Sequence, residues 1–418
     1  LARRPLFQAT TKRIDGRGIW PAAPGESDRP ARTIRTRALL AMLVLGAITG
    51  LAGCHRLYPM PGSAYHVMLY LAGQGRRIRA INARSMALAP SLQAPGDPVA
   101  LAYNPARAEL YALDQDGGHD GGLAIFSLAS PARPVAIPLG LQPRAMALSA
   151  NRAAAYIAGT DAGRGVLLTL DLPSRGIIHR RALPGRPTAV AIAPEETVLV
   201  ATSHPAALDI IGRSGLGLAA QVSLPARPTQ VIALPYGHKA FVLCPAANEV
   251  AVVDLAAPAA VLTYLSIGPS PARMVLKPDG GELFISNYGT DGTGTTVSAV
   301  DTTANQVEGS IVVGGGPWGL AVSPGGRRLY VANHQANTVD VINLQSRHLT
   351  AAIPVGLGPA QLQLGGLGAY LFVADQTSDD IAVIRTDIPA LVTLFPSLPQ
   401  ARAMQAANFR SPAAPLPR

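Results

Sequence analysis

The chain has 418 residues, of which 42 are glycine and 37 proline, and 48% are hydrophobic while only 14% are charged. This length can bury a large core, but the density of turn-forming residues excludes a mainly helical protein. The net charge of +10 is uneven, because residues 1–53 contain nine basic and three acidic residues. The remaining chain has no block of Lys and Arg interleaved with aromatic residues, so nucleic acid is not an expected partner.

The start of the chain predicts export from the cytoplasm. Arg32, Arg35 and Arg37 precede an uncharged apolar run that ends in the small residues of LAGC at 51–54. This order is typical of a secretory signal, and the run is shorter than the ~20 residues that span a bilayer as a helix. LAGC resembles the bacterial lipobox, which implies that the thiol of Cys54 carries a lipid.

Residues 1–53 are therefore expected to be a signal region with a lipobox, and 54–64 a linker. Residues 1–30 are longer than a signal needs, which a start codon assigned too far upstream or a long leading region explains. His55 follows Cys54, and the sorting pattern of such lipoproteins then implies the outer membrane, facing the periplasm. The other cysteine, Cys244, is expected to be a buried, inert thiol without a disulfide partner.

A repeat dominates the chain from residue 65 to 409. In each unit a proline precedes a small apolar run, and the units are 41 to 46 residues apart. The prolines, named anchor prolines below, are Pro98, Pro143, Pro187, Pro228, Pro271, Pro317 and Pro359. In the clearest unit the runs read PWGLAVSPGG, RRLYVAN, NTVDVIN and LTAAIPVG. Short runs of β-formers bounded by Gly, Pro, Asn or Asp predict four strands in each unit.

These units predict a β-propeller. Both faces of a strand are apolar, with Leu329 and Val331 on one and Tyr330 on the other, so each sheet needs a neighbour on both sides. Closing the sheets into a ring removes exposed edges. Three strands before Pro98 and one at 398–409 complete a further blade. The prediction is all-β, a single β-propeller of four-stranded blades, with eight blades closed by the N- and C-terminal strands. Seven blades are the alternative, and 410–418 is an expected disordered tail.

One stretch carries a family resemblance. RRLYVANHQANTVDVIN at 327–343 resembles the YVTN repeat of bacterial and archaeal surface and periplasmic β-propellers. The resemblance extends from residue 65 to about 408 and implies the propeller fold in an envelope protein. It implies little about function, because the repeated residues are those that build blades.

Two groups of candidate ligand-binding residues lie at the predicted loop-rich end of the ring. Four arginines flank the anchor prolines of successive units: Arg144, Arg186, Arg227 and Arg273. Guanidinium groups suit carboxylate and phosphate, so an anionic ligand or an envelope protein is the expected partner; solvated arginines without a ligand are the alternative. The second group combines Tyr288, Asp291, Trp318 and His334, with Trp318 either a binding anchor or a cap over a blade junction.

Metal and catalytic motifs are scarce. Asp114, Asp116 and Asp120 are spaced like a calcium loop, but the Glu expected at its twelfth position is missing, so they are weak candidates. No cofactor other than calcium and no catalytic residue is predicted. The favoured interpretation is a non-enzymatic cell-envelope lipoprotein that binds a partner or ligand through its loops. The alternative, from fold analogy, is an enzyme or cofactor-handling propeller like a nitrite-reductase haem domain or a sugar lactonase.

Overall fold

The structure is a computed structural model that describes residues 65–73, 75–115, 121–129, 133–212, 217–256, 258–396 and 401–410. These residues form 32 strands and four 3-10 helices, namely Pro194–Glu196, Pro245–Ala247, Thr290–Gly292 and Gly366–Gly368. None of the described helices has the length and apolar character needed to cross a membrane. The signal region, Cys54, the linker, Asp116, Asp120 and residues 411–418 lie outside the described residues.

Each of the described strands belongs to one of eight four-stranded antiparallel sheets, which are the blades. Blade one contains β1 (Tyr65–Ala72), β2 (Arg77–Asn82), β3 (Ala87–Gln93) and the last strand, β32 (Ala403–Arg410). Blades two to four contain β4 (Asp97–Asn104), β5 (Glu109–Gln115), β6 (Gly122–Ser127), β7 (Val135–Pro138); β8 (Gln142–Leu148), β9 (Ala154–Asp161), β10 (Arg164–Asp171), β11 (Gly176–Leu183); β12 (Arg186–Ala193), β13 (Thr197–Ser203), β14 (Ala207–Ile211) and β15 (Leu218–Ser223). Blades five and six contain β16 (Gln230–Ala233), β17 (Lys239–Cys244), β18 (Glu249–Asp254), β19 (Ala260–Ser266); β20 (Pro271–Leu276), β21 (Glu282–Asn287), β22 (Thr296–Asp301) and β23 (Gln306–Val312). Blades seven and eight contain β24 (Pro317–Val322), β25 (Arg328–Asn333), β26 (Thr338–Asn343), β27 (His348–Pro354); β28 (Pro359–Gly365), β29 (Tyr370–Asp375), β30 (Asp380–Arg385) and β31 (Ala390–Pro396).

The ring closes through the last strand. The inner strands β4, β8, β12, β16, β20, β24, β28 and β32 contact one another in this order, and β32 then contacts β4. β32 pairs with β1, with Ala407 opposite Met68 and Ala403 opposite Ala72. The predicted eight-bladed propeller, closed by the terminal strands, is therefore confirmed, and the seven-bladed alternative is wrong.

The core lies between neighbouring blades. Leu329 and Val331 of β25 pack on Phe284 and other residues of blade six, whereas Tyr330, one residue along, packs on Leu371 and other residues of blade eight. Successive side chains of a strand point to opposite faces, so each middle strand serves two cores. Cys244 is buried, as predicted, and burial raises the pKa of its thiol to about 11.

A β-bulge follows six of the seven anchor prolines in the described chain. The pairing with the second strand shifts directly after Pro98, Pro143, Pro187, Pro271, Pro317 and Pro359. Proline fits at the start of a strand because it has no N–H to donate to the ladder. The bulge leaves the next residue unpaired and redirects the chain, so it decides which side chains come to the end of the inner strand.

Asparagine and aspartate fix the turns on one side of the ring. In five blades the last residue of the third strand accepts a hydrogen bond from a backbone N–H two or three residues on: Asn82, Asp171, Asp254, Asp301 and Asn343. Such side chains stabilise turns locally. The opposite side, the loop face, holds the connections from second to third strand and from fourth strand to the next blade.

The connection between β9 and β10 in blade three is a tight turn. Both strands continue through Gly159–Gly165, with Asp161 paired to Arg164. Only Ala162 and Gly163 form the turn, both with positive φ (46° and 79°). A two-residue turn of this kind matches the twist of a hairpin, and Gly163 adopts it without a Cβ clash.

Candidate functional site

Three of the four predicted arginines share one cavity on the loop face. The cavity has a volume of about 610 Å³ and is lined by Arg144, Arg186 and Arg227, from blades three, four and five. His204 and the hydroxyl residues Thr160, Thr188, Ser203 and Thr229 also line it. We name it the arginine cavity. Its volume is in the range of about 300–1,000 Å³ that is usual for small-molecule sites.

The arginine cavity has an uncompensated positive charge. No Asp or Glu is among its described lining residues. Asp161, next to the lining residue Ala162, is paired instead with Arg180 at 2.6 Å. The three cavity arginines have no salt bridge with any described residue, and all three are exposed. Three guanidinium groups facing one space repel each other, so an anion between them is stabilised.

Arg186 is held in place within this cavity. It precedes Pro187 at the start of β12, and its Nε donates a hydrogen bond to the carbonyl oxygen of Gly163 at 3.1 Å. That oxygen belongs to the tight turn of blade three, so this turn has a direct role in positioning Arg186. The two Nη groups remain available as a planar fork for a carboxylate or phosphate.

Arg273 lies outside the arginine cavity. In blade six the bulged residue is Ala272, and Arg273 pairs opposite Ser286, whereas in blade three Arg144 is itself the bulged residue. The guanidinium of Arg273 lies 5.9 Å from the ring centre of Trp318. Its side chain has solvent access, but the surrounding protein partly desolvates it and lowers its pKa. The predicted arc therefore consists of three arginines, with the fourth on an aromatic ring.

Tyr288, Trp318 and His334 form an aromatic cluster between blades six and seven. The rings of Tyr288 and Trp318 meet edge to face at 4.8 Å, and His334 lies 6.3 Å and 6.2 Å from them. All three are half-buried, so Trp318 is neither fully exposed nor a sealed cap. Asp291 is in the same loop as Tyr288 but is exposed, and the structure gives its carboxylate no contact with the rings.

A second cavity lies where the ring closes. Its volume is about 600 Å³, and its lining comes from blades seven, eight and one: His334, Gln361, Gln376, Thr377, Ala401 and Arg402. We name it the seam cavity. Sequence reasoning missed Gln361, Gln376 and Arg402, and did not assign His204 to the arginine cavity. The signal was present, because His204, His334 and Gln376 each directly follow a second strand.

The weak calcium candidates are only partly described. Asp114 is a buried residue of β5 and not part of a loop, and it borders a small cavity of about 180 Å³ with Leu123 and Ile137. Asp116 and Asp120 lie outside the described residues. Among the described residues there is no group of three or more His, Cys, Asp or Glu that could hold a metal ion.

Comparison with known proteins bears on the fold. No protein-family model matches the sequence. No curated protein matches it either. Dihydro-heme d1 dehydrogenase NirN in complex with DHE matches with a TM-score of 0.67 at 13% identity, over 84% of this chain and 76% of that one. Apo AztD from Citrobacter koseri matches with a TM-score of 0.61 at 13% identity, over 83% and 99%.

The Pseudomonas aeruginosa periplasmic gluconolactonase PpgL matches with a TM-score of 0.54 at 17% identity, over 72% of this chain and 99% of that one. The chain is a β-propeller, as these proteins are. At such identities the likeness extends to the fold alone, since one propeller scaffold serves unrelated functions. NirN is named as a dehydrogenase and PpgL as a gluconolactonase, so the fold does not exclude the enzyme alternative.

Proposed function

We propose that this protein is a non-enzymatic binding protein of the cell envelope whose propeller holds an anionic ligand in the arginine cavity. The observation that carries the proposal is the convergence of Arg144, Arg186 and Arg227 on one space without an acidic lining residue. Three positive charges favour a ligand with two or more negative charges, such as a polycarboxylate or a phosphate ester. The lipid on Cys54 anchors the protein to the outer membrane in this proposal.

Calorimetric titration with citrate and with pyrophosphate tests the proposal. The double variant Arg186→Ala, Arg227→Ala should bind these probes at least tenfold more weakly, because two charge-assisted hydrogen-bonding groups are lost. The affinity of the unmodified protein should fall as salt rises, and this dependence should be shallower in the variant.

A matched control separates the cavity from net charge. Arg84 and Arg327 are exposed residues in turns on the side opposite the loop face. The double variant Arg84→Ala, Arg327→Ala loses the same charge and should bind as the unmodified protein does. Equal binding by the two double variants, or no binding of either probe by the unmodified protein, refutes the arginine cavity as an anion site.

A second candidate function is handling of a tetrapyrrole cofactor. It is favoured by one observation, that the imidazole of His204 lines the same cavity as the three arginines. Such a group carries carboxylates, which suit arginine, and iron, which suits imidazole. The fold likeness to NirN is compatible with it. Visible absorbance of the purified protein, lost in His204→Ala, would establish this candidate; a colourless protein that gains no absorbance band on titration with haem excludes it.

A further inference from the structure

The seam cavity contains a set of polar groups different from that of the arginine cavity. Among its described lining residues Arg402, just before β32, is the only Arg or Lys, and there is no Asp or Glu. The backbone N–H of Arg402 donates to the carbonyl oxygen of Ala72 at 2.7 Å, which fixes the start of its side chain. The guanidinium is exposed and has no salt bridge with any described residue. One such group suits a ligand with a single negative charge.

Two glutamines present acceptors beside Arg402. Gln361 Nε2 donates to the carbonyl oxygen of Arg402 at 2.9 Å, and Gln376 Nε2 donates to that of Ala401 at 3.4 Å. Each amide thus directs its NH2 group to the backbone, and its Oε1 has no partner among the described residues. An amide oxygen accepts hydrogen bonds only, so these positions call for O–H or N–H donors on the ligand.

His334 supplies the less polar wall. Its ring lies beside those of Tyr288 and Trp318, and its Nδ1 is buried without a hydrogen-bond partner in the described structure. Gly358 lies close against the ring, where a Cβ would come within 3.0 Å of His334 Cε1. The ring is therefore held between Trp318, Tyr288 and the backbone of blade eight, and it offers a flat surface to a carbon skeleton.

We propose that the seam cavity is a second binding site, for a small hydroxycarboxylate. The carboxylate binds Arg402, the hydroxyl groups donate to the free oxygens of Gln361 and Gln376, and Thr377 adds a hydroxyl. The carbon chain lies against His334. This site involves none of the residues of the arginine cavity, so either proposal can fail without the other.

Three probes of similar length separate the contributions. Gluconate has a carboxylate and hydroxyl groups, hexanoate has only the carboxylate, and sorbitol has only the hydroxyl groups. Calorimetric titration should show gluconate binding at least tenfold more tightly than either of the others. Gluconate should also change the fluorescence of Trp318, whose ring lies 6.2 Å from His334. Equal binding of hexanoate or of sorbitol overturns the proposed ligand class, and absence of gluconate binding overturns the site.

Two matched variants locate the binding. Arg402→Gln keeps the backbone bond to Ala72 and removes the cation, so gluconate should bind at least tenfold more weakly. Arg84→Gln removes an exposed cation on the side opposite the loop face and should leave gluconate binding unchanged. Equal melting temperatures verify that both variants fold. A third variant, Gln361→Ala, removes an acceptor and leaves the charge, so it should weaken the binding of gluconate and leave the binding of hexanoate unchanged. Unchanged gluconate affinity in Arg402→Gln overturns the proposal.

Discussion

Replacing Asp375 by Asn is expected to stabilise the protein at neutral pH. Asp375 is only 1% exposed and pairs across the strands with Asp380. Its Oδ2 accepts a hydrogen bond from the N–H of Gly356 at 3.1 Å, whereas the Oδ1 atoms of Asp375 and Asp380 are buried without a partner in the described structure. A proton on Asp375 would let its carboxyl donate a hydrogen bond to the side chain of Asp380. Burial, and next the adjacent Asp380, raise the pKa of Asp375 to about 9.

The free-energy cost of burying Asp375 follows from its pKa values in the folded and unfolded chain. The ordinary pKa of Asp375 is 3.8, so at pH 7 the unfolded chain is ionised there and must take up a proton on folding. About three pH units at ~1.4 kcal/mol each give a cost of about 4 kcal/mol at pH 7. The pKa of Asp375 is higher in the folded protein than in the unfolded chain. The protein therefore has its full stability below about pH 4, and Asp375 lowers the free energy of unfolding progressively as pH rises towards 9.

Asn removes this cost because it is uncharged at every pH. Its oxygen can accept from Gly356 while its NH2 donates to Asp380. Blades six and seven already have Asn287 and Asn333 at this position, each packed against a glycine as Asp375 is against Gly356. The free energy of unfolding of Asp375→Asn should therefore exceed that of the unmodified protein by up to about 4 kcal/mol at pH 7, and by nearly nothing at pH 4.

Urea unfolding at pH 4, 7 and 8.5 measures this difference. Glu195→Gln is the control, since Glu195 is exposed and has no partner in the described structure, and it should change stability by less than about 0.5 kcal/mol at each pH. A gain for Asp375→Asn that is the same at all three pH values, or no gain at pH 7, would refute the proton on Asp375.

Three further outcomes are expected. Ending the chain at Leu398 removes β32, which pairs with β1 and contacts β4 and β28. The melting temperature should therefore fall far more than it does for a surface substitution, which changes the free energy of unfolding by only ~0.5 kcal/mol. An unchanged melting temperature contradicts this prediction. Fluorescence of half-buried Trp318 should be quenched by acrylamide to an intermediate extent, with Trp318→Phe as the blank, and either full protection or full access contradicts this. Cys54→Ala should release the protein from the membrane fraction, and unchanged retention removes the lipid anchor from the proposed function.

The sequence predicted the fold because each blade repeats the same local chemistry. The anchor prolines mark where an inner strand begins, and a terminal Asn or Asp marks where a third strand ends, as at Asn343. Alternation such as Leu329 and Tyr330 requires two packed faces, which excludes an isolated sheet. The last strand was predicted because the three strands before Pro98 need a fourth to complete a blade.

The two cavities were less predictable than the fold, because shifts of one residue in strand pairing decide which side chains line them. Arg144 and Arg273 both follow an anchor proline closely, yet the bulge makes Arg144 the unpaired residue and leaves Arg273 paired. Sequence spacing alone does not reveal such a bulge. The seam cavity depends on Gln361 and Arg402, which are distant in sequence and meet only because the ring closes. Its residues carry no catalytic or metal motif, so only their spatial convergence indicates a site.

Where blades differ, the loop face becomes asymmetric. Three positions of the repeat vary in chemistry: the residue before the anchor proline, the bulged residue and the residue after the second strand. In blades three to five they supply guanidinium groups and an imidazole, and in blades six to eight they supply aromatic rings and an amide: Arg144, Arg186, Arg227, His204; Tyr288, Trp318, His334 and Gln376. Each cavity is lined by three neighbouring blades, so each presents one of these chemistries. The arginine cavity and the seam cavity share no described lining residue, and they contain three arginines and one arginine respectively. Binding at one is therefore expected to leave the affinity of the other nearly unchanged, which titration of gluconate in the presence of saturating citrate measures directly.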